Sequence, residues 1–139
     1  MANFQYKAGM HSVGQYQMSA IPYATGSVTV AALGSAPTEI VFPRVTKFVT
    51  IRNVIPTGDD AAAFRVGFSS IGTSGSVPAN HNYFKLANGE SYTGEWRVKS
   101  LYLLCDTAVQ SSASIIAGVT AVSTSSLGFD NWSGSLGVG

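Results

Sequence analysis

The chain has 139 residues, of which 45% are hydrophobic and only 11% charged, less than half the typical globular share of about 25%. Eight basic and seven acidic residues leave a net charge of +1, with no basic tail or aromatic-rich basic stripe, which argues against nucleic-acid binding. The single cysteine, Cys105, excludes an internal disulfide, and no apolar run reaches the roughly 18 residues of a membrane span.

This length suits one domain with a real core. So little charge gives weak electrostatic protection against self-association, which favours a surface largely occupied by partners. The opening "MANFQYKAGMHSVGQYQ" has no apolar stretch of signal-peptide length, so synthesis and use in a cytosol-like space are expected.

Residues 1–24 read as an aromatic and Gln-rich arm carrying Phe4, Tyr6, Tyr16 and Tyr23. A domain over 25–122 follows, built from short β-branched and aromatic runs separated by Gly, Pro, Asn, Asp and Ser clusters. Strands are expected at 27–33, 38–42, 46–54, 62–69, 81–86, 90–96, 98–105 and 113–122. Alternation places Val49, Ile51, Phe64, Val66, Phe68, Leu101 and Leu103 on buried faces, and the apolar run around Ile116 adds that residue to the core. Between the strands, "NVIPTGDDA" (53–61) is turn-like, "SSIGTSGSVPAN" (69–80) reads as a longer exposed loop, and Asn88-Gly89 signals a tight hairpin. Residues 123–139 form a Gly/Ser-rich tail whose large aromatics are Phe129 and Trp132. Eight short strands at this spacing predict an all-β chain, an antiparallel sandwich with the strand count of a single jelly roll, flanked by extended arms.

Chemistry is sparse. His11 and His81 have no second ligand-type residue at metal spacing, and a Cys105–His81 dyad competes with the simpler reading of a buried thiol and a loop-edge imidazole. "GFSSIG" (67–72) lacks the second glycine of a nucleophile elbow, and no helix is expected after it. Asp59 and Asp60 fit a turn better than a cation site, and Glu90, Glu95 and Asp106 do not form an acid/base pair. "GTSGS" (72–76) lacks the lysine of a phosphate loop, and Asn131-Trp132-Ser133 matches the glycosylation pattern only by chance. Neither catalytic nor metal residues are assigned, no cofactor is expected, and the chain is read as not an enzyme. Instead, Phe4, Tyr6, Tyr16, Tyr23, Phe129 and Trp132 are candidate partner contacts, because large aromatics in segments too small and polar to pack alone gain by burial elsewhere.

The stretches "GQYQMSAIPYATGSVTV" (14–30), "EIVFPRVTKFVTIRN" (39–53), "NYFKLANGESYTGEWRVKSLYLLCDT" (82–107) and "SIIAGVTAV" (114–122) together resemble small single jelly-roll capsid proteins of large double-stranded DNA viruses, the kind that form the pentameric vertex, or penton. The resemblance implies a homo-pentamer, with arm and tail reaching major and minor capsid proteins. It also implies a place in the virion, with synthesis in the host cytoplasm. No inserted receptor-binding domain interrupts the expected sandwich. The competing expectation is a binding module of β-sandwich type, a fibre tip or lectin-like domain using loop 69–80 or Asp59 and Asp60.

Overall fold

A computed structural model of the chain describes residues 20–54, 63–75 and 81–126. Its strands are β1 (Ile21–Val30), β2 (Thr38–Val41), β3 (Thr46–Val54), β4 (Phe64–Gly67), β5 (Tyr83–Leu86), β6 (Ser91–Gly94), β7 (Ser100–Cys105) and β8 (Ser111–Val119). A short helix, α1 (Ser70–Ser74), lies between β4 and β5, and a 3-10 turn (Thr124–Ser126) follows β8.

The strands form two four-stranded sheets, ordered β1-β8-β3-β6 and β2-β7-β4-β5, with every strand pair antiparallel. The pairing has a simple origin. β1 pairs with β8, β2 with β7, β3 with β6 and β4 with β5, as in a ribbon folded in half at the β4–β5 connection. Winding that ribbon adds the β3–β8 and β4–β7 ladders and closes a jelly roll.

Side-chain alternation supplies the core between the sheets. Val49 and Ile51 from β3, Phe64 and Val66 from β4, Leu101 and Leu103 from β7, and Ala113, Ile115 and Ala117 from β8 are all buried there. One core polar group is satisfied on both sides. The Asn53 Nδ2 donates to the Leu86 carbonyl at 3.0 Å, while its Oδ1 accepts from the Ser111 hydroxyl at 2.9 Å. Thr46 Oγ1 accepts from the Val98 N–H at 3.1 Å and donates to the Trp96 carbonyl at 2.6 Å. Among the described residues, no buried side-chain nitrogen or oxygen lacks a partner.

Five sequence expectations are corrected. Ile116 is not core: it is 51% exposed, because β8 turns Ile115 inward and points Ile116 out between Ala24 and Thr50. β1 starts at Ile21 rather than near residue 27, taking residues 21–24 of the expected arm into the sheet; an edge strand tolerates Pro22. The Asn88-Gly89 turn forms, with Gly89 at φ 77°, but it carries the chain from one sheet to the other instead of joining a paired hairpin. Part of the expected loop 69–80 is helix α1, closed at both ends by local hydrogen bonds. Ser69 Oγ accepts from the Gly72 N–H at 3.0 Å, and Gly75, at φ 63°, donates its N–H to the Ile71 carbonyl. Phe68 is half-buried and packs against the core rather than within it.

These placements predict unequal mutational costs. Phe64→Ala should destabilise by about 3–5 kcal/mol in denaturant unfolding, since its ring is fully buried. Ile116→Thr should stay within about 0.5 kcal/mol of the parent. Equal losses at the two positions would mean that β8 presents the opposite face.

Candidate functional site

The sequence candidates for chemistry are held apart. Cys105 points into the core and donates its thiol to the Val30 carbonyl at 3.6 Å. Burial pushes its thiol up from the ordinary range, with a Ser111 backbone contact offsetting part of the effect. Cys105 pairs with Phe64, which pairs with Leu86, whereas His81 precedes Tyr83, at the height of Gly67. Three ladder steps separate Gly67 from Phe64, about 10 Å along the strands, so the expected alternative of a Cys105–His81 dyad does not form. His81 instead packs edge-on against Tyr83. Glu90 closes its own turn by accepting the Ala87 N–H at 2.8 Å, and Glu95 is exposed. Among the described residues, no three His, Cys, Asp or Glu side chains come close enough to hold a metal ion. Asp59, Asp60 and the tip at 76–80 lie outside the described residues, as does His11.

Asp106 is the centre of an ion-pair cluster. Its two carboxylate oxygens accept from Arg65 Nε at 2.8 Å and Lys85 Nζ at 2.7 Å. Arg65 also donates to the Thr73 and Ser74 carbonyls at the end of α1, and its guanidinium lies 4.5 Å from the Tyr83 ring centre. The arrangement pins α1 to the outer face of the second sheet. Gly67 makes the close approach possible, since a Cβ there would collide with Thr73 Oγ1. The hydrogen bond from Lys85 is the main cause holding the Asp106 carboxyl below its ordinary pKa, opposed by desolvation and helped by Arg65. Beside α1 lies an open cleft of about 580 Å³ between Leu33, Pro37, Ile71 and Leu104, lined by no ionisable side chain.

The sites that remain are surfaces. Of the six candidate contact residues, only Tyr23 lies among the described residues, and Phe4, Tyr6, Tyr16, Phe129 and Trp132 lie outside them. Tyr23 is half-buried in β1 and meets Phe42 edge-on at 5.2 Å. Sequence reading missed an aromatic cluster where β5 and β6 border the sandwich. Phe84 lies 5.0 Å from Tyr92 and 5.9 Å from Trp96, Tyr92 stacks on Trp96 at 5.2 Å, and Phe68 closes on Trp96 at 4.8 Å. The available signal was Gly94, two residues from each of Tyr92 and Trp96. A Cβ there would meet the indole at 2.5 Å, so only glycine admits the ring. On the opposite border, Ile21 of β1 and Val41 of β2 are exposed.

No family model matches this chain, and no curated protein matches it.

Two pH effects follow. The lowered Asp106 pKa contributes stability that is present above the unfolded value of 3.8 and is lost as pH falls through the lower folded value. Asp106→Asn should therefore reduce stability by about 1–3 kcal/mol at pH 7 and flatten the acid limb of a pH–stability curve below about pH 4. Cys105 runs the other way. Its raised pKa contributes stability that is complete below the unfolded 9.0 and is lost as pH rises through the folded value, so Cys105→Ala should be less sensitive to alkali. Measurement by thermal unfolding across pH checks both, and an unchanged acid limb in Asp106→Asn would remove Asp106 from the account.

Proposed function

We propose that this chain is a structural protein of an icosahedral virus shell, the vertex or penton subunit of a large double-stranded DNA virus, with no catalytic step of its own. The observation that carries the reading is the folded-ribbon winding of eight strands into a single jelly roll, an architecture used by capsid proteins. Two further observations support it. Asp106, Glu90 and Cys105 each serve local structure. Apolar side chains are left exposed, Ile21 and Tyr92 at the open borders of the sandwich and Val41 and Ile116 on its outer faces, as suits a shell subunit that meets neighbours. In this reading the arm and tail aromatics Phe4, Tyr6, Tyr16, Phe129 and Trp132 anchor on major and minor capsid proteins. A Gly/Ser-rich segment crosses an uneven surface easily, and two rings along it supply affinity.

The stacked Tyr92–Trp96 pair favours a second reading, a fibre-tip or lectin-like module in which a sugar ring lies on the aromatics. Binding of a glycan that is abolished by Tyr92→Ala, in protein absent from shells, would establish it over the first.

Removal of residues 125–139 tests the structural reading. The shortened chain should keep its circular dichroism spectrum yet enter particles at reduced copy number, counted by quantitative mass spectrometry of purified virions. Incorporation at parental occupancy would show that the tail is not an anchor, and absence of the full-length chain from particles would overturn the shell assignment.

A further inference from the structure

The chain that leaves β8 does not run straight off the sandwich. Val122 is buried, its carbonyl accepts from the Val45 N–H at 3.1 Å, and Thr124 lines one recess with Glu39, Val41 and Ser100. Val41 and Ser100 are a ladder pair of β2 and β7, on the face opposite Ile40 and Leu101, which belong to the core. Residues 120–126 therefore pass over the end of the sandwich and deliver the tail onto the outer face of the second sheet.

That face leads to the cleft beside α1. Along β7 the outward residues are Ser100, Tyr102 and Leu104, and Leu104 lines the cleft with Leu33, Pro37 and Ile71. Leu33 and Ile71 on its walls are 44% and 56% exposed, and no ionisable side chain lines it. The bonds from Arg65 to the Thr73 and Ser74 carbonyls fix the α1 wall, so the cleft is formed in advance of any occupant.

The tail has the chemistry and the length to fill it. Residues 127–139, LGFDNWSGSLGVG, lie outside the described residues and carry a single charge, at Asp130, beside the rings of Phe129 and Trp132. From Ser100 to Leu104 is four residues of strand, about 14 Å. Trp132 lies six residues beyond Ser126, the end of the 3-10 turn, and six residues of Gly-rich chain have a root-mean-square span of about 12–15 Å. A tether whose span matches the distance to its site gives the highest effective concentration, so even a weak contact is held closed.

We propose that in the free chain the tail straps back over its own second sheet, with Phe129 over the Tyr102 row and Trp132 in the cleft between Leu33 and Ile71. The closed strap withholds both rings from other chains until a partner offers them a better surface. It belongs to the free chain; where the shell reading holds, anchoring on neighbours begins with its release.

Trp132 reports on its own position. The chain has two tryptophans, so Trp132→Phe in each background isolates the Trp132 emission by difference. A strap closed about nine-tenths of the time should reduce acrylamide quenching of Trp132 to about one-tenth of its value in the urea-unfolded chain. Ile71→Glu and Leu33→Glu alter exposed walls of the cleft, so both should keep the parental circular dichroism spectrum. Each should raise quenching of Trp132 about fivefold or more, while Trp96 stays as in the parent. Quenching of Trp132 in the parent equal to that in the unfolded chain overturns the proposal. So does protection that either wall variant leaves intact, which would put the ring elsewhere on the sandwich. Protection that grows with protein concentration between about 1 μM and 1 mM, with dimers in sedimentation, also overturns it, by giving the cleft to a second copy. Particles play no part in these measurements. A failed strap leaves the shell reading untouched, and a chain absent from virions leaves the strap standing.

Discussion

Each of eight short strands can bury only one of its two faces, and the only place to bury it is the layer between two sheets. That constraint organises the rest. It requires all the inward faces to meet, which the folded ribbon achieves by pairing strands from opposite ends of the sequence and then winding them over one another. Most of the resulting contacts are long-range, so the closing of the sandwich depends on hydrophobic burial across the layer more than on any local turn. Val49, Ile51, Phe64, Val66, Leu101 and Leu103 supply that layer, and each is fully buried.

Polar groups fix what burial leaves loose. Asn53 ties β3 to the end of β5 and the start of β8 through one amide, so a slip of register would strand a buried donor and acceptor together. Arg65 does comparable work on the outside of the second sheet. It joins the end of α1, the Tyr83 ring and Asp106, and so holds the connection at which the ribbon doubles back.

Much of this was legible in the residues. Strand β3 lies where alternation of Val49 and Ile51 against Thr50 and Arg52 places it, because Thr50 separates the two apolar residues and Arg52 follows the second. Alternation fails where neighbours are alike, as in the Ile115-Ile116 doublet, whose outward member was assigned to the core. The Asn88-Gly89 signal was right about the bend and wrong about its partners, since turn chemistry fixes local dihedrals and says nothing about which sheet the next strand joins. Helix α1 is too short for periodicity to show, although its caps, Ser69 and Gly75, are visible in the sequence. The aromatic cluster escaped for a different reason. Phe68, Phe84, Tyr92 and Trp96 come from separate segments, and only the pairing of β3 with β6 and β4 with β5 gathers them. Of the residues singled out for contact, Tyr23 alone can be placed, in a strand rather than an arm.

The pairing of Ile21 with Val119 has a consequence for polarity. The first strand enters the sandwich and the last leaves it side by side, at the end that also holds the turn at 42–45 and the segment at 95–99. The other end presents the bends at 31–37, 87–90 and 106–110. Both flanks therefore join the described sandwich at one pole of the domain. The opposite pole has demands of its own, the left-handed turn at Gly89, the Glu90 carboxylate that closes it and the Asp106 ion pairs, so the two ends of one small domain are held by different means.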